Sequence, residues 1–261
     1  MYDLVNFYNN LKVKFSKSSA NEILTFMIYE LKSAINLKDT DAIIFIGNEL
    51  GSYLRVMAEI KSSYKIYETI KYLTLKKYGC NSKEYATILL NLADVDIVDK
   101  NYTKAIERLN RSEEILKDLN EKYLMATMYN NRSSAYRGLN NYKSARRDIE
   151  NAIRLIDNRD KIAISRINLA EVKLLEGNFL EALNDIRKVI EYYSNENPRD
   201  IHFANALSTA ANIFYKLRDY DRSIEFYKLA YTKFHDKFGN CEMTKLLQRN
   251  IEKVKIERNK Y

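Results

Sequence analysis

The stretch Asn101-Tyr102-Thr103-Lys104-Ala105 decides the fold, because its pattern of polar, aromatic, any, any and small residues recurs three times downstream. The later copies begin at Asn141, Asn178 and Asp219. The aromatic residues of the four copies are Tyr102, Tyr142, Phe179 and Tyr220. They are separated by 40, 37 and 41 residues, and a period of this length predicts a protein built from repeated structural units.

A small residue also lies nine positions before each aromatic residue. These small residues are Ala93, Ser133, Ala170 and Ala211. Gly51 has the same place in a weaker copy, in which Ile60 replaces the aromatic residue and Ser63 the small one. Apolar residues follow at spacings of three and four, as in Ile106 and Leu109, and so share one helix face. Each unit is therefore predicted to be two antiparallel helices that bury their apolar faces only by stacking on neighbouring units.

The composition of the chain favours helices and a protein without membrane spans. Six Gly and one Pro in 261 residues are too few for strands joined by tight turns. No stretch approaches the ~18 apolar residues of a membrane span, and the N-terminus lacks the basic and apolar regions of a signal peptide. The two cysteines lack the spacing of a disulfide framework or a metal site. These features predict a cytoplasmic protein.

The repeat resembles the tetratricopeptide repeat family, whose units have a small residue late in the first helix, then an aromatic residue, then alanine three residues on. The resemblance covers about residues 40–240. Its period near 40 instead of about 34 is similar to the longer variant in kinesin light chains and bacterial peptide-sensing regulators, as is the stretch Tyr85-Ala86-Thr87-Ile88-Leu89-Leu90-Asn91-Leu92-Ala93. The resemblance implies an all-α, right-handed α-α superhelix, a solenoid of about five helix pairs with N-terminal helices and a C-terminal capping helix.

The repeat boundaries divide the chain into three predicted parts. Residues 1–38 are expected to be an N-terminal helical cap or a degenerate repeat, residues 39–240 the tetratricopeptide array, and residues 241–261 a C-terminal capping helix. The five predicted repeats are 39–79, 80–120, 121–158, 159–197 and 198–240. Asp39 and Ser82 are residue types that cap helix N-termini well, and they are expected to begin helices.

The resemblance also implies a binding groove, because the first helix of each pair lines the concave surface of such solenoids. Two residues before the small position, three repeats have Asn91, Asn131 and Asn168, although asparagine is a mediocre helix former. An asparagine amide offers one acceptor and two donors, so a ladder of them could hold the main chain of an extended peptide. The alternative is that duplication copied these residues or that they brace neighbouring helices.

The other predicted groove residues belong to this row, to a second row three residues further along the same helix face, or lie beside the two rows. They are Glu49, Ser52, Asp94, Ser134, Arg137, Glu171, Thr209 and Asn212. Arg137 is expected to pair with acidic groups of the groove or with the ligand. Glu49, Asp94 and Glu171 favour a partner segment that carries Lys or Arg, and they argue against the carboxylate clamp of chaperone-binding members of the family.

No motif for catalysis is found, since phosphate-binding glycine loops are missing and neither His202 nor His235 has a suitably spaced partner. We therefore expect no enzyme activity, cofactor or metal, and predict a scaffold for a protein or peptide ligand, with a regulatory role as one form of it. Two alternatives stay open. The formal charge of +8 allows the scattered basic helices to bind nucleic acid, although the sequence favours a scaffold over this function. The chain could also be a non-catalytic subunit of an enzyme complex.

Overall fold

A computed structural model describes residues 2–260, which form thirteen helices and no strand. The chain divides into two compact units, Met1–Leu139 and Asn140–Tyr261. The first contains α1 (Leu4–Lys17), α2 (Ala20–Asn36), α3 (Thr40–Val56), α4 (Ile60–Tyr78), α5 (Lys83–Val98), α6 (Tyr102–Asp118) and α7 (Lys122–Gly138). The second contains α8 (Tyr142–Leu155), α9 (Arg159–Leu175), α10 (Phe179–Glu196), α11 (Ile201–Lys216), α12 (Tyr220–Phe238) and α13 (Glu242–Arg258). Within residues 2–260, no helix has the length and apolar character needed to cross a membrane.

The number of helix pairs is six instead of the five that the repeat pattern predicted. The additional pair is formed by α1 and α2, which contact each other, and α2 in turn packs on α3. Its core contains Phe7, Met27 and Ile46, all almost fully buried. The repeat pattern left this segment open as a cap or a degenerate repeat, because the start of α2, Ser19-Ala20-Asn21-Glu22-Ile23, has no aromatic residue in the signature position. A capping box of Ser19 and Glu22 begins the helix instead.

Small residues bring the two helices of a pair close together, as predicted. In the α3–α4 pair, the Ser63 hydroxyl donates to the backbone carbonyl of Gly51 at 2.7 Å. The Ser223 hydroxyl makes the same bond to the carbonyl of Ala211 in the α11–α12 pair, at 2.8 Å. A Cβ atom on Gly51 would lie 2.7 Å from the ring of Tyr67, so the crossing distance depends on the absence of one methyl group.

The turn inside a pair ends the first helix in a recurring way. Five residues at this point have positive φ angles, namely Ala58 (62°), Lys100 (62°), Asn140 (57°), Gly177 (85°) and Arg218 (60°). After Ala58, Lys100, Gly177 and Arg218, the next residue donates its N–H to a carbonyl five residues back, as from Asn101 to Asp96 at 2.7 Å and from Asn178 to Lys173 at 2.8 Å. This arrangement satisfies the last carbonyls of the helix. The predicted caps Asp39 and Ser82 are confirmed, because each side chain accepts an N–H of the first turn.

One crossing position, three residues after the small residue, is filled differently from pair to pair. In the α5–α6 pair Arg108 Nε donates to Asp96 Oδ2 at 2.8 Å. In the α9–α10 pair Lys173 Nζ donates to Asp185 Oδ2 at 2.7 Å. In the α11–α12 pair the equivalent residues are Phe214 and Phe226, whose ring centroids are 5.2 Å apart. In the α3–α4 pair they are Leu54 and Ile66, which pack in one apolar cluster.

The last helix, α13, covers the end of the second unit. It packs against α12 and buries Leu247, Ile251 and Val254 in the core of that unit. Its other face carries charged residues such as Lys245 and Glu252. Such a helix shields an apolar face that a further repeat would otherwise cover.

Candidate functional site

In the first unit, the predicted groove residue Asn91 lies between two neighbouring first helices. Its Nδ2 donates to Oδ1 of Asn48 at 2.5 Å, and this bond joins α5 to α3. Asn48 also accepts from the Tyr67 hydroxyl through its backbone carbonyl, at 3.2 Å. Part of the hydrogen-bonding capacity of Asn91 is therefore used to brace two helices, which is the alternative that the sequence left open for it.

The acidic residues beside Asn91 lie in a poorly hydrated environment. Asp94 is 4.0 Å from the Arg55 guanidinium, and each side chain keeps 27% of its surface exposed. Burial raises the pKa of Asp94 to about 6, although Arg55 opposes this shift. Burial also raises the pKa of Glu49, against a hydrogen bond from Asn48. Both carboxylates would therefore be stabilised by a positive charge that approached them from outside.

The second asparagine of the predicted row, Asn131 on α7, also lies in the first unit but differs from Asn91. The Asn131 side chain is half-buried, and within residues 2–260 it makes no hydrogen bond. Ser134, one turn further along, donates to the carbonyl of Asn130 at 3.3 Å. Arg137 is half-buried on the same helix, and Ser52 on α3 is half-buried as well. Asn131 thus keeps all of its donors and its acceptor.

In the second unit, Asn168 on α9 repeats the situation of Asn131. It is half-buried, and its side-chain amide has no hydrogen bond to any part of the described chain. Glu171 on the same helix accepts from the Thr209 hydroxyl at 3.3 Å. Thr209 is buried, so it links α11 to α9 and presents little surface. Asn212 is exposed, but it accepts from the Tyr227 hydroxyl at 2.6 Å and donates to the Ser208 carbonyl at 3.1 Å.

Sequence reasoning missed two residues that contact predicted groove residues of the first unit, Asn48 beside Asn91 and Arg55 beside Asp94. Both lie on α3, whose repeat signature is the weakest of the five that the pattern identified. The available signal was the position of Arg55 four residues after Gly51, one helical turn beyond the small residue and on the same helix face. The Asn48–Asn91 bond was not predictable from repeat spacing, because it joins positions that differ by one residue in the repeat.

Most residues of the two densest basic stretches are neutralised by carboxylates. The stretches comprise ten basic residues, namely Lys71, Lys76, Lys77, Lys83, Lys245, Arg249, Lys253, Lys255, Arg258 and Lys260. All but Lys76, Arg249 and Lys253 form ion pairs within residues 2–260. Their partners come from the same helix or from a neighbouring one, as with Asp41 for Lys77. A surface for nucleic acid would leave such cations free for phosphate groups.

The sequence and the fold were compared with known proteins. Residues 126–159 match the model of the tetratricopeptide repeat family, whereas no curated protein sequence matches the chain. The fold is similar to that of RapI in its apo form, with a TM-score of 0.65 and 15% identity over 98% of this chain and 99% of that one.

Two further solved structures have the same fold. A tetratricopeptide repeat protein from Parabacteroides merdae gives a TM-score of 0.69 at 16% identity, over 97% of this chain and 86% of that one. A signal transduction ATPase with a tetratricopeptide repeat sensor, from Pyrococcus horikoshii, gives 0.68 at 15% identity, over 96% of this chain and 39% of that one. Together with the repeat match, they confirm that the chain carries a tetratricopeptide repeat and has the all-α fold of tetratricopeptide repeat proteins.

Proposed function

We propose that the chain is a non-catalytic scaffold that binds a peptide or an extended protein segment through the first helices of its pairs. The observation that carries this proposal is the state of Asn131 and Asn168. They occupy the same place in two repeats, they are half-buried, and neither amide makes a hydrogen bond within the described chain. The main chain of an extended peptide offers the donors and acceptors that these amides lack.

The acidic cluster of the first unit supports a ligand with a basic residue. Burial holds Glu49 and Asp94 with raised pKa values, that of Asp94 at about 6. A Lys or Arg of a bound segment would favour the ionised form of both groups. The same contact would steer the ligand more than it would strengthen binding, because interface charges act mainly on orientation and association rate.

A regulatory form of this function has support from one related fold. The Pyrococcus horikoshii protein carries its tetratricopeptide repeats as a sensor in a signal transduction ATPase. We infer a comparable role for this chain, in which occupancy of the first-helix surface is the signal. Nucleic-acid binding is not favoured as a second function, because most residues of the two densest basic stretches already form ion pairs with carboxylates.

The proposal is tested by capturing a partner from an extract of the cells that make this protein, with mass spectrometry as the readout. The bait is the wild type beside Asn131→Ala/Asn168→Ala, and the matched control is Asn9→Ala/Asn184→Ala, which alters two exposed helical asparagines. The captured partner is then titrated against each purified protein. Each lost hydrogen bond contributes about 0.5–1.5 kcal/mol, so the first variant should bind about tenfold more weakly or worse.

The control variant should bind the partner as the wild type does, and circular dichroism should find all three proteins equally helical. Equal affinity of the wild type and Asn131→Ala/Asn168→Ala would contradict the proposal. The two asparagines would then be structural residues, and the binding surface would lie elsewhere.

A further inference from the structure

Three helices of the first unit have an exposed apolar residue in their last turn, and each is the first helix of its pair. They are α1, α3 and α5, which end at Lys17, Val56 and Val98. Val56 has 72% of its surface exposed, whereas Phe15 of α1 and Val98 are about half exposed. Exposed apolar residues that lie singly need no explanation, but these three follow one another on neighbouring helices. We call Phe15, Val56 and Val98 the apolar row.

Contacts between α1 and α3 place the apolar row beside an acidic residue. The ring centroids of Phe15 and Tyr53 are 5.7 Å apart, so the end of α1 packs on α3. Tyr53 is one helical turn from both Glu49 and Val56, and residues at this spacing are neighbours on a helix surface. The part of the row that joins α1 to α3 therefore lies beside Glu49, whose side chain is half-buried.

The packing of α5 on α3 brings a second carboxylate to the row. Val98 is one turn beyond Asp94 on α5, and the Asp94 carboxylate is 4.0 Å from the Arg55 guanidinium of α3. Burial raises the pKa of the Tyr67 hydroxyl, and the charges of Arg55, Asp94 and Glu49 all act on it. These three charged groups are therefore gathered around one tyrosine hydroxyl of α4.

The charged groups of this surface carry an excess of negative charge. Glu49 and Asp94 supply two carboxylates, whereas Arg55 supplies one guanidinium. Within residues 2–260, Arg55 is the only ion-pair partner of Asp94, and Glu49 has none. A cation from outside the chain would therefore complete the balance of charge.

The basic residues near the α1 end of the row do not supply that cation. Lys12 Nζ is 4.3 Å from the centroid of the Tyr8 ring, toward the start of α1, and Lys14 Nζ is 5.4 Å from that of Phe26 on α2. Lys17 is two positions beyond the aromatic member of the row, so it projects from a different side of α1. The surface is thus apolar on α1 and both apolar and acidic on α3 and α5.

We propose that the apolar row and the carboxylates of Glu49 and Asp94 bind one amphipathic segment of the peptide ligand, in which Lys or Arg residues are flanked by aliphatic side chains. The cationic groups balance the negative charge, and the aliphatic side chains remove the three exposed residues of the row from water. An acidic segment would be repelled by the same carboxylates. The α1–α2 pair is then part of the binding surface and does not only cap the array.

The spacing of the three helices sets the spacing of residues in the ligand. Packed helices have axes about 8–10 Å apart, and an extended chain advances about 3.3 Å per residue. Residues that contact successive members of the apolar row are therefore about three positions apart in the ligand. This inference rests on the proposed peptide-binding function and adds to it a pattern of apolar and basic residues.

The test is an NMR titration of the full chain with synthetic heptapeptides, read from the backbone amide shifts. The main probe is acetylated and amidated, with leucine at its first, fourth and seventh positions, lysine at its second and fifth, and glycine elsewhere. Three matched probes replace both lysines by glutamine, both lysines by glutamate, or all leucines by serine. We expect the main probe to shift the amides of Phe15, Val56 and Val98 and to bind at least fivefold more tightly than each matched probe.

Variants of the apolar row test its contribution separately from that of the acids. Phe15→Ser/Val56→Ser should weaken the main probe at least fivefold, because it removes most of the row. The matched control is Val13→Ser/Leu180→Ser, which alters two exposed apolar residues outside the row. It should bind the main probe as the wild type does, and circular dichroism should find both variants as helical as the wild type.

The acidic variant Glu49→Gln/Asp94→Asn should bind the lysine and glutamine probes equally, because the preference for a cation depends on the carboxylates. The proposal is overturned if this variant keeps the preference, if a matched probe binds the wild type as tightly as the main probe, if Phe15→Ser/Val56→Ser binds normally, or if no probe shifts the three amides. It is also overturned if sedimentation velocity finds a dimer that Phe15→Ser/Val56→Ser converts to a monomer, since a second copy would then cover the row.

This test is independent of the asparagine residues. Asn131→Ala/Asn168→Ala leaves every residue of the apolar row and both carboxylates in place, and the heptapeptides need no cellular partner. Failure of the heptapeptides to bind as expected is therefore separate from failure of that variant to lose its partner.

Discussion

The α5–α6 and α9–α10 pairs fill the same crossing position with opposite charges. In the α5–α6 pair the acid Asp96 is on the first helix and the base Arg108 on the second, whereas Lys173 and Asp185 reverse this order in the α9–α10 pair. The distances between the paired atoms are nearly equal, 2.8 and 2.7 Å. The crossing therefore requires complementary side chains, but it does not require a particular charge on either helix.

The two ion pairs differ in how completely they are removed from water. The Asp96 side chain has 0% of its surface exposed and Arg108 has 12%, and Arg108 also contacts Glu68 at 3.0 Å. Burial raises the pKa of Asp96, against the effect of Arg108. Lys173 and Asp185 are 11% and 13% exposed, and the additional partner of Lys173, Glu181, is 57% exposed. The stability of the protein should therefore depend more on the Asp96–Arg108 ion pair than on the Lys173–Asp185 ion pair when one partner is removed.

The largest effect is expected for Arg108→Met, which leaves the buried carboxylate of Asp96 with only Lys104 nearby, at 3.9 Å. The free energy of unfolding should fall by about 3–5 kcal/mol, as measured by urea denaturation at pH 8. The loss should be smaller at pH 5, because an unpaired buried Asp96 binds a proton more readily. Arg111→Met, at an exposed position of the same helix, is the control, and equal losses in both variants would contradict the argument.

Lys173→Met should destabilise the protein less, by about 2–3 kcal/mol, because water can still reach Asp185 and Glu181. The same urea denaturation measures it, and Lys188→Met on the exposed face of α10 serves as its control. A loss of stability larger than that of Arg108→Met would mean that burial does not decide which ion pair contributes more to the free energy of unfolding.

Asp94 tests how much a nearby cation matters to a buried carboxylate, because it lies two residues from Asp96 but has a more distant cation. Its pKa of about 6 in the folded protein is above the value near 3.9 of an unfolded chain. The native state therefore binds more protons between these values, and this group makes the protein more stable as the pH falls from 7 to 4. Relative to the wild type, Asp94→Asn should be stabilised by up to about 2 kcal/mol at pH 7 and not at pH 4.

The measurement for Asp94 is the difference in unfolding free energy between variant and wild type at each pH, which cancels the titration of other groups. Asp118→Asn, at an exposed position of α6, is the control for the loss of one carboxylate. A difference for Asp94→Asn that did not change between pH 4 and pH 7 would contradict the raised pKa of Asp94.

The smallest effect concerns the turns of the same two pairs, where Lys100 and Gly177 hold equivalent left-handed conformations. Lys100→Gly should raise the free energy of unfolding by about 1 kcal/mol, and Gly177→Ala should lower it by about the same amount, because only glycine adopts this conformation without strain. Thermal unfolding measures both. The same exchange inside a helix, Lys188→Gly, should instead destabilise the protein by roughly 0.5–1 kcal/mol, and a loss of stability in Lys100→Gly would contradict the argument.

The sequence predicted the repeat fold because the aromatic and small residues of the signature act locally, at fixed spacings within one pair. It did not count the α1–α2 pair among the repeats and left it open as a cap or a degenerate repeat, because Ser19 and Glu22 begin the second helix without that signature. The candidate site was only partly predictable. The row of asparagines was visible as a repeat, but the bond of Asn91 to Asn48 depends on how far neighbouring helices are displaced, and spacing does not encode this distance. The binding role of the row stays a prediction.

The reversed ion pairs also affect how the chain finds its own partners while folding. Repeat proteins are prone to misassembly, because their units are similar enough to pair wrongly. If α5 packed on α10, Asp96 would face Asp185, and if α9 packed on α6, Lys173 would face Arg108. Either mistake would bury two like charges, which costs several kcal/mol. The reversed charges thus disfavour an exchange of helices between these two pairs.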